Sequence, residues 1–134
     1  MTWTGILDTS AVMALPRLSS TAGVPERPVT TTVTFAELAV GPLVTDDLQE
    51  RAWRQAVLQQ AEADLEALPF DLGAARAFGR VAADLRQAGR KARARSYDAM
   101  IAAIALSNGL PVHTANPADF AYISGLVVVA VPAA

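Results

Sequence analysis

The apolar and polar positions of the chain come in short blocks. Ile6 and Leu7 run into an acid, Asp8, and the segment Trp3–Asp8 predicts a strand. Residues 9–15 can open a helix that Pro16 stops, because proline lacks the N–H a helix interior needs. Residues 16–28 hold Pro16, Gly23, Pro25 and Pro28 among Ser and Thr, which predicts a loop. Val29–Val33 is rich in Val and Thr and reads as a second strand; Thr34–Val40 then reads as a helix ended by Gly41-Pro42. Thr45 is placed to cap a long helix over 46–67 with a stripe of Leu48, Ala52, Ala56, Leu65 and Leu68. Pro69-Phe70 makes a short connector or strand. The next helix carries Leu72, Ala75, Phe78, Ala82 and Leu85 at intervals of three and four and ends near Gly89. A helix over Tyr97–Ser107, a strand over Leu110–Thr114, a helical turn over Pro117–Phe120 and a last strand over Leu126–Val131 complete the series.

Short apolar strands alternating with helices imply an α/β protein. Its central, mainly parallel sheet would be covered on both faces, in one domain spanning 1–134. The composition, 52% hydrophobic and 18% charged with abundant alanine, suits packed helices. No apolar run approaches the roughly 20 residues of a membrane span. Cysteine is absent, which removes disulfides and thiolate metal sites, and no secretory signal pattern opens the chain. A cytoplasmic protein is expected. The net charge of −2 gives no bulk sign of a nucleic-acid binder.

The distribution of charge is more informative. Open parallel sheets bind ligands at the C-terminal ends of their strands. Asp8 ends the first strand, Glu37 lies in the first turn after the second, Asp98 opens the helix at 97–107, and Asp119 follows the strand ending at Thr114. Each has a plain structural explanation. Asp8 could cap the helix at Thr9. Thr34-x-x-Glu37 matches a capping box. Asp98 suits the dipole of a helix capped by Ser96, and Asn116-Pro117-Ala118-Asp119 reads as cap, first-position proline and first-turn acid. Four such acids on one rim would nevertheless repel one another unless a cation neutralised them. Mg²⁺ or Mn²⁺ takes oxygen ligands, keeps waters and leaves room for phosphate oxygens. His113, the one histidine, lies next to last in a buried strand and suits packing better than catalysis. Ser10 and Thr9 then serve as caps or as partners of the Asp8 carboxylate. The basic stretch "RQAGRKARARSYD" at 86–98 holds Arg86, Arg90, Lys91, Arg93 and Arg95 and leads into Asp98. Cations beside an acid cluster would hold a phosphodiester that the acids repel, with salt-sensitive binding to RNA. No phosphate loop and no nucleophile elbow occurs.

These motifs together resemble the PIN-domain ribonucleases, in particular VapC-type toxins of type II toxin–antitoxin pairs. The resemblance rests on "ILDTS", "VTFAELAVG", "RARSYDAMIAAIA", "PVHTANPADF" and the closing "GLVVVAVP", and covers nearly the full length. It implies a PIN-like α/β/α sandwich and Mg²⁺- or Mn²⁺-dependent endonucleolytic hydrolysis of RNA by water. Asp8, Glu37, Asp98 and Asp119 would form the catalytic set, with Asp8 and Asp98 as the main metal ligands. Thr114, Asn116 and Ser10 would support them, and Arg90, Arg93 and Arg95 would hold the substrate. Relatives often carry aspartate at the position of Asn116, so a second metal would be held more weakly. The resemblance also implies a homodimer and a cognate VapB-type antitoxin whose C-terminal segment fills a groove walled by the helix at 46–67. Two other readings compete: a PIN-like module that binds RNA or a partner without cutting, and a phosphotransferase of the haloacid dehalogenase type. The latter expects a second acid where Ser10 stands.

Overall fold

The computed structural model describes residues 3–91 and 96–132. Strand β1, Thr4–Leu7, enters helix α1, Thr9–Ala14, which tightens into a 3₁₀ turn over Leu15–Arg17. Pro16 sits in that turn, so the expected stop takes the form of a narrower last turn rather than an abrupt end. Strand β2, Arg27–Thr31, runs directly into α2, Thr32–Val40. A Gly41–Leu43 turn leads to α3, Leu48–Asp64; then follow β3, Ala67–Leu68, and α4, Leu72–Gln87. Helix α5, Ser96–Asn108, strand β4, Val112–Thr114, a 3₁₀ turn at Pro117–Phe120 and strand β5, Val128–Ala130, close the series.

The five strands form one sheet in the order β3-β2-β1-β4-β5. Every pairing is parallel, with Ile6 opposite both Val29 and Val112. Alternation along β1 sends Ile6 to one face and Leu7 to the other. Ile6 joins Val29, Val112 and the buried sides of α4 and α5. Leu7 joins Ala11, Val12, Leu38, Val57 and Ala61, from α1, α2 and α3. The sheet is therefore covered on both faces, as a parallel sheet requires. In α5, Ala99 and the run Ile101–Ala105 are buried without a polar side. A helix enclosed this way fits between neighbours because four of those six side chains are alanine.

Two stripes differ from expectation. In α3, Leu48 is 75% exposed, and Val57 and Ala61 are the buried positions, flanked by half-buried Trp53, Leu58 and Leu65. In α4, Leu72 is 66% exposed, and Ala74, Ala77, Val81 and Leu85 face the core. Alanine is nearly neutral as a phase marker, so a one-residue slip left the sequence pattern almost as regular. The cap of α3 is Asp47, which accepts from Gln49 N and Glu50 N at 2.9 and 3.0 Å, whereas Thr45 accepts from Asp47 N outside the helix. The helix ends at Asp64 because residues 67–68 pair with β2.

Candidate active site

Strands β1 and β4 are neighbours, but the chain leaves them toward opposite edges of the sheet, with β2 on one side and β5 on the other. Such a switch point opens a crevice at the strands' C-terminal ends. Asp8 stands there, 4% exposed, immediately after β1. Its backbone N–H donates to His113 O at 3.1 Å, which locks it to β4. Its carboxylate also caps α1, with Oδ1 accepting from Ala11 N at 2.9 Å. Ser10 Oγ donates to the same oxygen at 2.8 Å, and Thr114 Oγ1 donates to Oδ2 at 2.6 Å. Capping and site formation are thus two jobs of one side chain, and Thr9 and Ser10 are not caps.

The hydroxyls extend this network. Ser10 Oγ accepts from Ala115 N and Thr114 Oγ1 accepts from Asn116 N, both at 3.0 Å. Glu37 lies across the crevice. Thr31, not Thr34, caps α2 by accepting from Thr34 N at 3.1 Å, so the expected capping box does not form and Glu37 falls in the second turn. It accepts from Thr9 Oγ1 at 2.7 Å, a contact that joins α1 to α2 and had no sequence signal beyond two adjacent hydroxyls.

Burial pushes the Asp8 carboxyl above its ordinary value of 3.8; bonds from Thr114, Ala11 N–H and Ser10 oppose the rise, and the charge of Asp119 adds to it. Burial likewise raises Glu37 above 4.5, opposed by Thr9 and reinforced by Asp8. These influences place Glu37, Asp8 and Asp119 in one electrostatic group. Among the described residues, no ion pair involves Asp8 or Glu37. Asp119 sits in the Pro117–Phe120 turn, where its N–H donates to Asn116 O at 3.0 Å. Asn116 occupies the cap position without a side-chain capping bond. Asp98 lies in the first turn of α5. Arg90, beyond the end of α4, places its guanidinium carbon 5.0 Å from the centre of the Tyr122 ring. Arg93 and Arg95 lie outside the described residues.

His113 is fully buried. Its Nδ1 donates to Gly23 O at 2.5 Å, and its ring lies 5.1 Å from Trp3, so it packs the sheet rather than the crevice. Burial lowers its pKa from 6.5, the bond to Gly23 opposing the fall.

The donor set is all oxygen. A carboxylate offers about four lone-pair positions. Asp8 uses three, which leaves one for a cation. Among the described residues no three acidic or histidine side chains form a closed metal cage. An all-oxygen donor set is the kind that Mg²⁺ and Mn²⁺ take, and these ions complete their shell with water and phosphate oxygens.

A parallel 3-2-1-4-5 sheet with a buried aspartate at its switch point, within electrostatic reach of Glu37 and Asp119, defines a class. The chain belongs to the PIN domain family, whose sequence profile matches residues 6–126. Within it the chain stands with the VapC proteins. It is 44% identical to Ribonuclease VapC5 of Mycobacterium tuberculosis over 123 residues, which cover 90% of this chain and 88% of that one. The crystal structure of VapBC-5, a toxin–antitoxin system of the same organism, contains a chain that superposes with a TM-score of 0.79 at 41% identity, covering 96% of this chain and 98% of that one. A chain of DNA-bound VapBC from Salmonella typhimurium matches with a TM-score of 0.73 at 27% identity over 97% and 98%.

Proposed function

We propose that this chain is the toxin of a type II toxin–antitoxin pair and hydrolyses RNA phosphodiester bonds as a Mg²⁺- or Mn²⁺-dependent endoribonuclease. The observation that carries the reading is the buried Asp8 carboxylate, held by Ser10 and Thr114 and charge-coupled to Glu37 and Asp119. Asp8 and Asp98 would hold the metal. When bound, the metal supplies Lewis-acid stabilisation of the phosphoryl oxygens and a more acidic water. Ser10 and Thr114 fix the Asp8 oxygens, and Thr9 fixes Glu37, which would orient the attacking water and take its proton. Asp119 adds negative charge that strengthens cation binding. Arg90, Arg93 and Arg95 would hold the RNA backbone against that charge.

The names of the relatives support an antitoxin partner of VapB type. The recess between α1 and α3, lined by Met13, Leu38, Trp53 and Val57 and reaching Thr9 and Glu37, is the place we assign to its C-terminal segment. Leu43, Val44 and Leu48 form an exposed apolar corner suited to a second copy of the chain.

The test is antitoxin-free protein incubated with cellular RNA and Mg²⁺. Cleavage by wild type, with losses on the order of 10²- to 10³-fold in Asp8→Asn and Asp98→Asn, is expected when an electrostatic stabiliser is removed. Equal cutting by the variants would show the site is misassigned.

A further inference from the structure

Tyr122 is 61% exposed and adopts φ 71, in the left-handed region that a bulky side chain rarely enters. It is the one non-glycine residue with positive φ among the described residues. Strain of this kind persists only where the surroundings over-determine it, and it concentrates at ligand sites. Here both flanks are fastened. Phe120 is 1% exposed and Ile123 8%, and Ser124 N donates to Asp84 Oδ2 on α4 at 2.9 Å. The burial of its neighbours turns the ring outward instead of into the core. Arg90 stacks against it, and Asp84, Gln87 and Ser124 line the open cavity beside it. Arg80 borders the adjoining recess.

Asp119 is three residues away, so the Tyr122 Cα lies at most roughly 11 Å from the Cα of that acid. An outward aromatic ring, the Arg90 guanidinium on it and Arg80 in the adjoining recess form a surface on which an unpaired base stacks while its phosphate is held.

We infer that Tyr122, with Arg90 behind it, is a stacking platform for an unpaired base of the RNA near the scissile bond. The inference rests on the reading of the chain as an RNA-cutting enzyme and adds a requirement to it. The substrate must present a single-stranded nucleotide at this position, because bases stacked in a duplex cannot reach a ring. Tyr122 touches substrate without taking part in the chemistry.

The experiment measures fluorescence anisotropy of a short labelled single-stranded RNA, and of its duplex, on the full chain in EDTA. Wild type, Tyr122→Phe and Tyr122→Ala are compared after thermal melts confirm folding. Tyr122→Phe should bind the single strand as wild type does. Tyr122→Ala should weaken it roughly 5- to 150-fold, the usual cost of one lost stacked base, and leave the duplex within about twofold. The platform is overturned if Tyr122→Ala binds the single strand as wild type does, if both RNAs weaken together, or if wild type binds no single strand. A wild type that binds through Tyr122 but cuts nothing with Mg²⁺ removes the nuclease reading and keeps the platform.

Discussion

At the scale of single residues, Asp8 carries a tension between stability and function. Its ionised form is penalised by burial and by neighbouring acids, and offset by three hydrogen bonds. Asparagine is as good a helix cap as aspartate. Asp8→Asn should therefore lose cleavage while its urea midpoint stays at or above that of wild type. Asp8→Ala should lose both, because the cap alone is worth about 1 kcal/mol. Thr114→Val keeps the shape of the buried side chain but removes the donor to Oδ2. Removing such an orienting partner should weaken Mn²⁺ binding about 10- to 100-fold by calorimetry. Gly5 is fixed by a different neighbour. A Cβ there would clash with His113 Nε2, a buried atom without a hydrogen-bond partner among the described residues. Gly5→Ala should cost at least the ~1–3 kcal/mol typical of overpacking, read from urea unfolding.

At the scale of elements, helix α1 has only six residues and is too short to persist alone. Its stability comes from the Asp8 cap and from burying Ala11 and Val12. Most element positions were legible in the sequence, because Val-rich blocks and Pro/Gly punctuation are local signals. The residues at the strand ends were legible for the same reason: Asp8, Asp119 and Thr114 each follow or close an apolar block. The buried faces of α3 and α4 were not, since alanine marks both sides of each helix. The Thr31 cap was also hidden, because Thr30, Thr31, Thr32 and Thr34 all offer the same hydroxyl. Contacts between distant segments, such as Thr9 with Glu37, depend on how α1 and α2 pack and leave no trace in local spacing.

At the scale of the whole molecule, two sets of titrating groups oppose each other. Asp8 and Glu37 have raised native pKa values, so the native state binds more protons than the unfolded one. Their contribution is most favourable below about 3.8–4.5 and is lost as pH rises through the native values. His113 has a lowered native pKa, so its contribution is present above 6.5 and is lost as pH falls toward the native value. A bound divalent cation would relieve the first penalty only where the acids are ionised. The rise in melting temperature on adding Mg²⁺ should accordingly be small near pH 4 and grow toward neutrality. A Mg²⁺ effect independent of pH would contradict a site built on these carboxylates.

The bond from Thr114 to Asp8 spans 106 positions, and the strands that carry them are adjacent in the sheet. During translation Asp8 is made well before Thr114 and Asp119, so the rim that they share forms only after all three have been made. Closing so long a loop is slow and comes late in folding. A chain in which Thr114 has not yet been made lacks the hydroxyl that holds Asp8 Oδ2. For a toxin of the kind proposed above, that order would leave an antitoxin an interval in which to meet the early segments before the acid rim has formed.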